Sequence, residues 1–325
     1  MSKKIWIIAG EASGDTHAAA LMRAILASDA SVTFYGVGGP KMKAIAGEHL
    51  EDWAHEAGVL GLWDVLKKYG YFHERFHRML GEIATLKPDA VLFIDYPGFN
   101  LRMAKAIRKQ GLPVKLLYYI SPQVWAWNRS RIPKMARILD RMFCIFPFEK
   151  ALYERSGLPT EFVGHPLLEH LASERTDTPR DPNLLGIFPG SREREVRKIF
   201  PTMLAAADIV KKRRPETQIE ASAASSLLEK HMRQMSQEAG ISCAITTGHS
   251  HELMQRAAAG LVCSGTATLE AAFFRLPYAL VYNVAWLTYF VGRYLVTVKF
   301  LGIVNILAGR ELIREFIQEN AKPDD

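Results

Sequence analysis

Cysteine is scarce in this chain of 325 residues: there are three, Cys144, Cys243 and Cys263, and none forms a CxxC pair. They sit in apolar or strand-like surroundings, so they read as reduced core residues of a cytosolic protein, without a disulfide framework or a structural zinc. No metal or other cofactor is expected. The phosphate signatures of common nucleotide folds are also missing. The first turn, GEASGD, has Gly10 and Gly14 but not GxGxxG, and GxxxxGK occurs nowhere, so NAD-type and P-loop chemistry lose support. There is no GxSxG nucleophile elbow. Long apolar runs are lacking as well. MSKKIWIIAGE is broken by Glu11, too early for a signal-peptide core, and VAWLTYFVGRYLVTVKFLGIV is interrupted by Arg293 and Lys299, which argues against a membrane span. Acidic residues are in deficit, 34 against 41 basic, giving a net charge of +7. That balance suits an anionic partner, whether phosphorylated substrate or membrane surface. Nucleic acid is not expected, because the basic residues are dispersed and no RNA- or DNA-reading motif appears.

What is present is a globular composition, 49% hydrophobic and 23% charged, long enough for two cores. Apolar runs of strand length recur at KIWIIAG, VTFYGVG, AVLFIDY, VKLLYYI and MFCIFPF, and again at NLLGIFPG, TQIEAS, SCAITTG, AGLVCSG and YALVYNV. Segments of helical period lie between them, such as Phe200, Met203, Leu204, Ala207 and Val210. Strand and helix in alternation imply parallel sheets with right-handed crossovers. The aperiodic stretch ERTDTPRDPN falls midway between the two series. The expected fold is therefore α/β, with two doubly wound Rossmann-like domains at 1–173 and 184–325, a linker at 174–183, and a ligand cleft at the carboxyl ends of the sheets.

The stretch LVCSGTATLEAAFFRLPYALVY, 261–282, sets a small-residue turn between a buried strand and a helix opening at Thr266. Backbone N–H groups of Ser264, Gly265 and Thr266 at a helix N-terminus favour an anion such as a pyrophosphate. One turn on, the Glu270 carboxylate is a fit acceptor for two vicinal ribose hydroxyls. An N-cap followed by a surface glutamate is the plainer alternative. Asp95 ends the apolar strand AVLFI, a partly desolvated place where a carboxylate's pKa rises toward that of a general base. A turn aspartate capping a helix from near Asn100 is an equal alternative. Glu11, Ser13 and Asp15 cluster on the first turn of the same half, where they bind substrate hydroxyls, orient the base, or simply cap a helix at 16–28. His165 is left without a role.

Eight motifs occur in order: GEASGD at 10–15, FIDYPGFN at 93–100, YISPQVWAW at 119–127, FPFEK at 146–150, FVGHP at 162–166, FPGSRxxE at 188–195, SGTATLE at 264–270 and NILAGRE at 305–311. Together they resemble the lipid-A-disaccharide synthase family nearly end to end. The resemblance implies a GT-B glycosyltransferase on the cytoplasmic face of the inner membrane. It would move 2,3-diacylglucosamine from its UDP derivative onto 2,3-diacylglucosamine 1-phosphate, giving the β(1→6) disaccharide and UDP. On that reading Asp95 is the base. Ser191, Arg192, Ser264, Gly265, Thr266, Glu270, Asn305 and Arg310 hold the donor, and Glu11, Ser13 and Asp15 face the acceptor. Arg192 in a polar turn, Asn305 as an N-cap and Arg310 as a solvated helix residue are the structural alternatives. Two departures stand out: IVN stands at 303–305 where relatives often show LPN, and the chain ends at Asp325 where the family usually continues, so the second domain reads as shortened.

Lipid leaves its own trace. Leu62, Leu66, Tyr69, Phe72, Phe76, Met79 and Ile83 follow helical spacing with Lys67, Lys68, Arg75 and Arg78 on other faces. Trp286, Tyr289, Phe290, Arg293 and Tyr294 form a second such segment, and Trp125, Trp127, Arg129 and Arg131 lie in the loop after the strand VKLLYYI. They suggest peripheral attachment to an anionic bilayer, packing on a domain core being the commoner use of such helices. A UDP-N-acetylglucosamine 2-epimerase and a non-catalytic nucleotide- or lipid-binding protein remain as other readings. The sequence leaves homo-oligomer formation open.

Overall fold

In a computed structural model of the chain, which describes residues 3–53, 69–283 and 298–324, each apolar run quoted above forms a strand. The chain divides into two units, Met1–Pro166 and Leu167–Asp325. The first holds a seven-stranded sheet of β1 (Lys4–Ala9), β2 (Thr33–Gly38), β3 (Leu50–Asp52), β4 (Ala90–Ile94), β5 (Lys115–Tyr119), β6 (Arg141–Cys144) and β7 (Thr160–Phe162), in the order β3-β2-β1-β4-β5-β6-β7. The second holds β8 (Asp181–Phe188), β9 (Gln218–Ala223), β10 (Ala244–Thr247), β11 (Ala257–Cys263), β12 (Tyr278–Tyr282) and β13 (Glu315–Ile317), in the order β10-β9-β8-β11-β12-β13. Every neighbouring pair is parallel. Central strands covered on both faces must be apolar throughout, which is why they were legible. The three-residue strands β3, β7 and β13 were not.

The division between units falls earlier than 174–183. The helix Pro166–Ser173 buries Leu171 with Leu184, Leu253 and Phe274 of the second unit. Beyond it the Thr176 N–H donates to Gln255 Oε1 at 2.7 Å, and the Arg180 guanidinium donates to the carbonyls of Met254, Ala257 and Phe274. β8 already begins at Asp181. The stretch looks like a linker because Thr176 and Arg180 are held by hydrogen bonds to Gln255 and to backbone carbonyls instead of by packing in a core.

Helix α1 (Ala12–Ser28) starts one turn earlier than 16. It carries Asp15, whose buried carboxylate accepts from the N–H groups of Gly39, Lys41 and Met42 at 2.9–3.1 Å. Asp15 therefore caps α2 (Pro40–Ala46) from a neighbouring helix, satisfying its orphan donors. That use of both oxygens removes it from the acceptor-facing set.

Helix α3 (Tyr69–Leu86) spends its apolar face on the first core. Met79, Leu80 and Ile83 are buried with Phe93 and Met103, and Phe72 and Phe76 pack against them. Arg75 is buried, pairs with Glu51 and lies over the Trp53 ring at 5.7 Å; Arg78 reaches the same carboxylate at 2.7 Å. The described part of this helix is thus a core element. Leu62, Leu66, Lys67 and Lys68, and Trp286, Tyr289, Phe290, Arg293 and Tyr294, lie outside the described residues. Trp125 is also fixed inward, its indole N–H donating to the buried Glu149 carboxylate at 2.8 Å, whereas Trp127 is exposed. Among the described residues no helix is long and apolar enough to cross a membrane. Cys144 and Cys263 are buried, and burial pushes all three thiols up to about 12, which leaves them unreactive near neutrality.

Candidate functional site

In a doubly wound sheet the ligand crevice opens where the strand order reverses, at the carboxyl ends of the strands on either side. The reversal falls between β8 and β11 in the second unit and between β1 and β4 in the first. In the second unit a cavity of about 580 Å³ opens there, a volume typical of ligand sites. Ser191 and Arg192 line it from the turn after β8, and Ser264, Gly265 and Thr266 from the turn after β11. Helix α4 (Thr266–Phe273) starts at Thr266 with Gly265 as its N-cap. Gly265 has φ 143°, a conformation open to glycine alone, and it lets the chain turn so that the first-turn amides border the cavity. Arg192 caps the helix Glu193–Arg213, with its guanidinium 2.9 Å from Glu195.

Glu270, mostly buried, lines the same cavity and is held from behind. His251 Nε2 lies 3.3 Å from Glu270 Oε2, and its Nδ1 lies 2.5 Å from Glu174 Oε2. His170 Nε2 meets the other Glu174 oxygen at 3.0 Å. A neutral imidazole has one donor, so serving two carboxylates requires the imidazolium. The hydrogen bond to Glu270 accordingly holds the His251 pKa above the ordinary histidine range, against the opposing effect of burial. The resulting stability is complete below the ordinary value and is lost as pH rises through the higher folded value. The His251 ring proton should therefore titrate in NMR well above that of His165, which burial drives down to about 4. A midpoint at or below the ordinary histidine value would contradict the bridge. Sequence reading missed this relay because Glu174 lies 77 positions away, in the stretch read as linker.

At the switch point of the first unit, Asp95 and Tyr96 follow β4 with φ 43° and 47°. Two consecutive left-handed non-glycine residues are strained, and such strain persists only where the surroundings fix it. Here the Asp95 N–H donates to Tyr119 O at 3.0 Å, and the Asp95 carbonyl accepts from Tyr118 Oη at 2.5 Å and Asn100 Nδ2 at 2.7 Å. Helix α5 (Pro97–Lys109) begins at Pro97 with Tyr96 as N-cap and no side-chain cap, so the Asp95 carboxylate does not cap it. Burial first, and the charge of Glu11 second, raise Asp95 to about 6. Glu11 and Ser13 are exposed on the turn after β1 and the start of α1. Gly10 is needed at this place, since a Cβ on it would lie 2.4 Å from the Tyr96 ring. Gly10→Ala should destabilise the protein by roughly 1–3 kcal/mol, the usual cost of overpacking, and lower activity by displacing Asp95. Equal denaturant midpoints for variant and parent would refute that packing.

The comparisons with known proteins can be set beside this geometry. The family model described as Lipid-A-disaccharide synthetase matches residues 5–325. Lipid-A-disaccharide synthase of Geobacter sulfurreducens is 40% identical over 333 residues, covering 99% of this chain and 85% of the relative. The chain belongs to the lipid-A-disaccharide synthase family. The synthase of Syntrophus aciditrophicus is likewise 40% identical, over 99% of this chain and 86% of its own length. Among solved structures, a putative UDP-N-acetylglucosamine 2-epimerase from Listeria monocytogenes superposes with a TM-score of 0.58 at 13% identity, covering 95% of this chain and 86% of the other. The Neisseria meningitidis UDP-GlcNAc 2-epimerase gives 0.56 at 11%, over 94% and 90%. At that identity the likeness speaks for the GT-B fold alone. As a lipid-A-disaccharide synthase family member the chain is a hexosyltransferase.

Within this synthase fold, two donor assignments change. Asn305 is buried inside the helix Ile303–Ala308, whose N-cap is Gly302, so it is not a cap. Its amide donates to Ile313 O and Glu315 Oε1 and accepts from the N–H groups of Leu312 and Ile313, all within 2.9 Å. These four bonds use its whole capacity and pin the following loop, leaving none for a donor sugar. Arg310, exposed after Gly309, is not among the residues lining the cavity. Conversely, Ser222, Gly248, Ser250 and Met254 form walls that the sequence did not mark. The reading that the chain has no HExxH was wrong: His73 and His77 on α3 spell that motif with Glu74, and their Nε2 atoms are 3.2 Å apart. Among the described residues no group of three His, Cys, Asp or Glu side chains could hold a metal ion, and a catalytic zinc of that motif needs a third ligand.

Proposed function

We propose that the chain joins UDP-2,3-diacylglucosamine to 2,3-diacylglucosamine 1-phosphate with inversion, giving the β(1→6) disaccharide 1-phosphate and UDP. The observation that carries this reading is Asp95, a carboxylate raised to about 6 by burial at a switch point and committed to no helix cap. Its pKa suits a general base near neutral pH. The acceptor 6-hydroxyl oxygen attacks the anomeric carbon while Asp95 takes its proton. The anomeric carbon–oxygen bond to the diphosphate breaks on the opposite face, and UDP leaves with the electron pair. Negative charge grows on the diphosphate, where the first-turn amides of α4 and the Arg192 guanidinium supply positive charge. Glu270 accepts from the ribose hydroxyls, and the base extends toward Gly248 and Met254. The exposed Trp127, with the Arg131 guanidinium over its ring at 4.8 Å, suits peripheral contact with the cytoplasmic face of the membrane.

Incubation with both lipid substrates, followed by mass spectrometry, should show the disaccharide 1-phosphate, with UDP appearing only when acceptor is present. Epimerised UDP-sugar without acceptor, or nucleotide binding without turnover, would replace this reading.

A further inference from the structure

A second cavity in the first unit, about 440 Å³, begins at Pro97 and Gly98, the first residues of α5 and next but one to Asp95. Among the described residues five cations line it: Arg102 and Lys105 from α5, and Arg131, Lys134 and Arg137 from the segment before β6. Among the described residues no carboxylate lines it and none of the five forms an ion pair. Carboxylates are at hand close by: Arg108, one turn beyond Lys105, is bound to Asp140 at 2.5 Å. Five like charges around one concavity repel each other and raise the local concentration of anions. The remaining wall is apolar, with Leu101, Met135 and Ile138.

We propose that this cavity seats the 1-phosphate of the acceptor, a phosphomonoester carried on an acylated sugar. A phosphomonoester brings close to two negative charges at neutral pH and several acceptor oxygens, which a cluster of arginines and lysines matches. The distance fits one sugar ring. With 1.5 Å of rise per residue, Arg102 and Lys105 stand about 7–12 Å along α5 from Pro97. A glucosamine whose 6-hydroxyl meets Asp95 carries its anomeric phosphate on the other side of the ring, along this helix. The apolar wall gives the first methylenes of an acyl chain a surface beside the charged group. This placement rests on Asp95 acting as the base for the 6-hydroxyl. The competing source of the same chemistry is the headgroup of an anionic phospholipid.

The test compares the full chain with Arg102→Ala/Arg137→Ala, both exposed positions, using UDP affinity as the control for folding. Lipid-free glucosamine 1-phosphate should bind the parent in calorimetry and bind the double variant at least about tenfold more weakly. The acceptor KM should rise about tenfold or more with UDP affinity unchanged, and Arg102→Lys/Arg137→Lys should restore part of the loss. Vesicles of phosphatidylglycerol and phosphatidylcholine form the separate arm. If the variant loses only vesicle binding, with the glucosamine 1-phosphate affinity and acceptor KM intact, the cavity is a membrane-headgroup seat and the proposal falls. It falls equally if the parent does not bind glucosamine 1-phosphate. Should the parent make no disaccharide, the proposed function fails while the glucosamine 1-phosphate arm still reads the cavity directly.

Discussion

Asp95→Asn is expected to lower turnover by about 10²-fold or more, the scale of a lost general base, with UDP affinity unchanged. Because the carboxylate is raised to about 6, the parent's turnover should fall below that pH as the base is protonated. Glu11→Gln should carry that acid limb to lower pH, since the Glu11 charge is the second cause of the shift. Stability should move the opposite way from activity. A folded-state pKa above the unfolded value means that the ionised carboxylate costs stability, increasingly as pH rises from about 4 to about 6 and fully above it. Asparagine carries no charge, so the variant should gain on the order of 2 kcal/mol at neutral pH, less whatever its amide leaves unbonded. A variant that keeps near-normal turnover, or that loses stability together with activity, would move Asp95 to a structural role.

Glu270→Ala should weaken UDP binding by at least about tenfold to a hundredfold, because even one hydrogen bond to a charged acceptor contributes roughly 1.5–3 kcal/mol. The informative comparison is with 2′-deoxy-UDP. The parent should discriminate strongly against it, and the variant should bind the two nucleotides almost alike. Unchanged UDP affinity in a folded Glu270→Ala protein, or undiminished discrimination, would remove Glu270 from the ribose. His251→Ala should give a milder version, since Glu270 would remain but lose the imidazolium that orients it.

The long central strands and the small-residue turn before Thr266 were legible because they rest on local rules: continuous apolar runs for strands covered on both faces, glycine where φ is positive. Asp95 was legible for the same reason, as the polar residue that ends such a run. The roles of Asp15 and Asn305 were not. Each binds backbone groups of another element, Asp15 at Gly39 to Met42 and Asn305 at Leu312 and Ile313, and nothing in the residues beside them signals a partner. The His251 relay and the five-cation cavity share that cause, since their members come from separate elements. The helix α3 stayed open between two uses for a different reason: an amphipathic face reads alike whether it meets lipid or a core, and here Phe93 and Met103 occupy it.

The strand order also governs when each unit can exist during synthesis. β1 lies at the centre of its sheet but cannot pair with β4 until residue 90 has been made, and the Lys4 N–H waits across 85 positions for the Asp89 carboxylate. β8 waits in the same way for β11. Parallel pairing at such separation is slow and leaves apolar edges uncovered while the chain emerges at about 5–20 residues per second. The nascent first half therefore spends several seconds with β1 lacking its neighbour β4. That interval is when a holdase would bind, and KIWIIA is the segment it would cover.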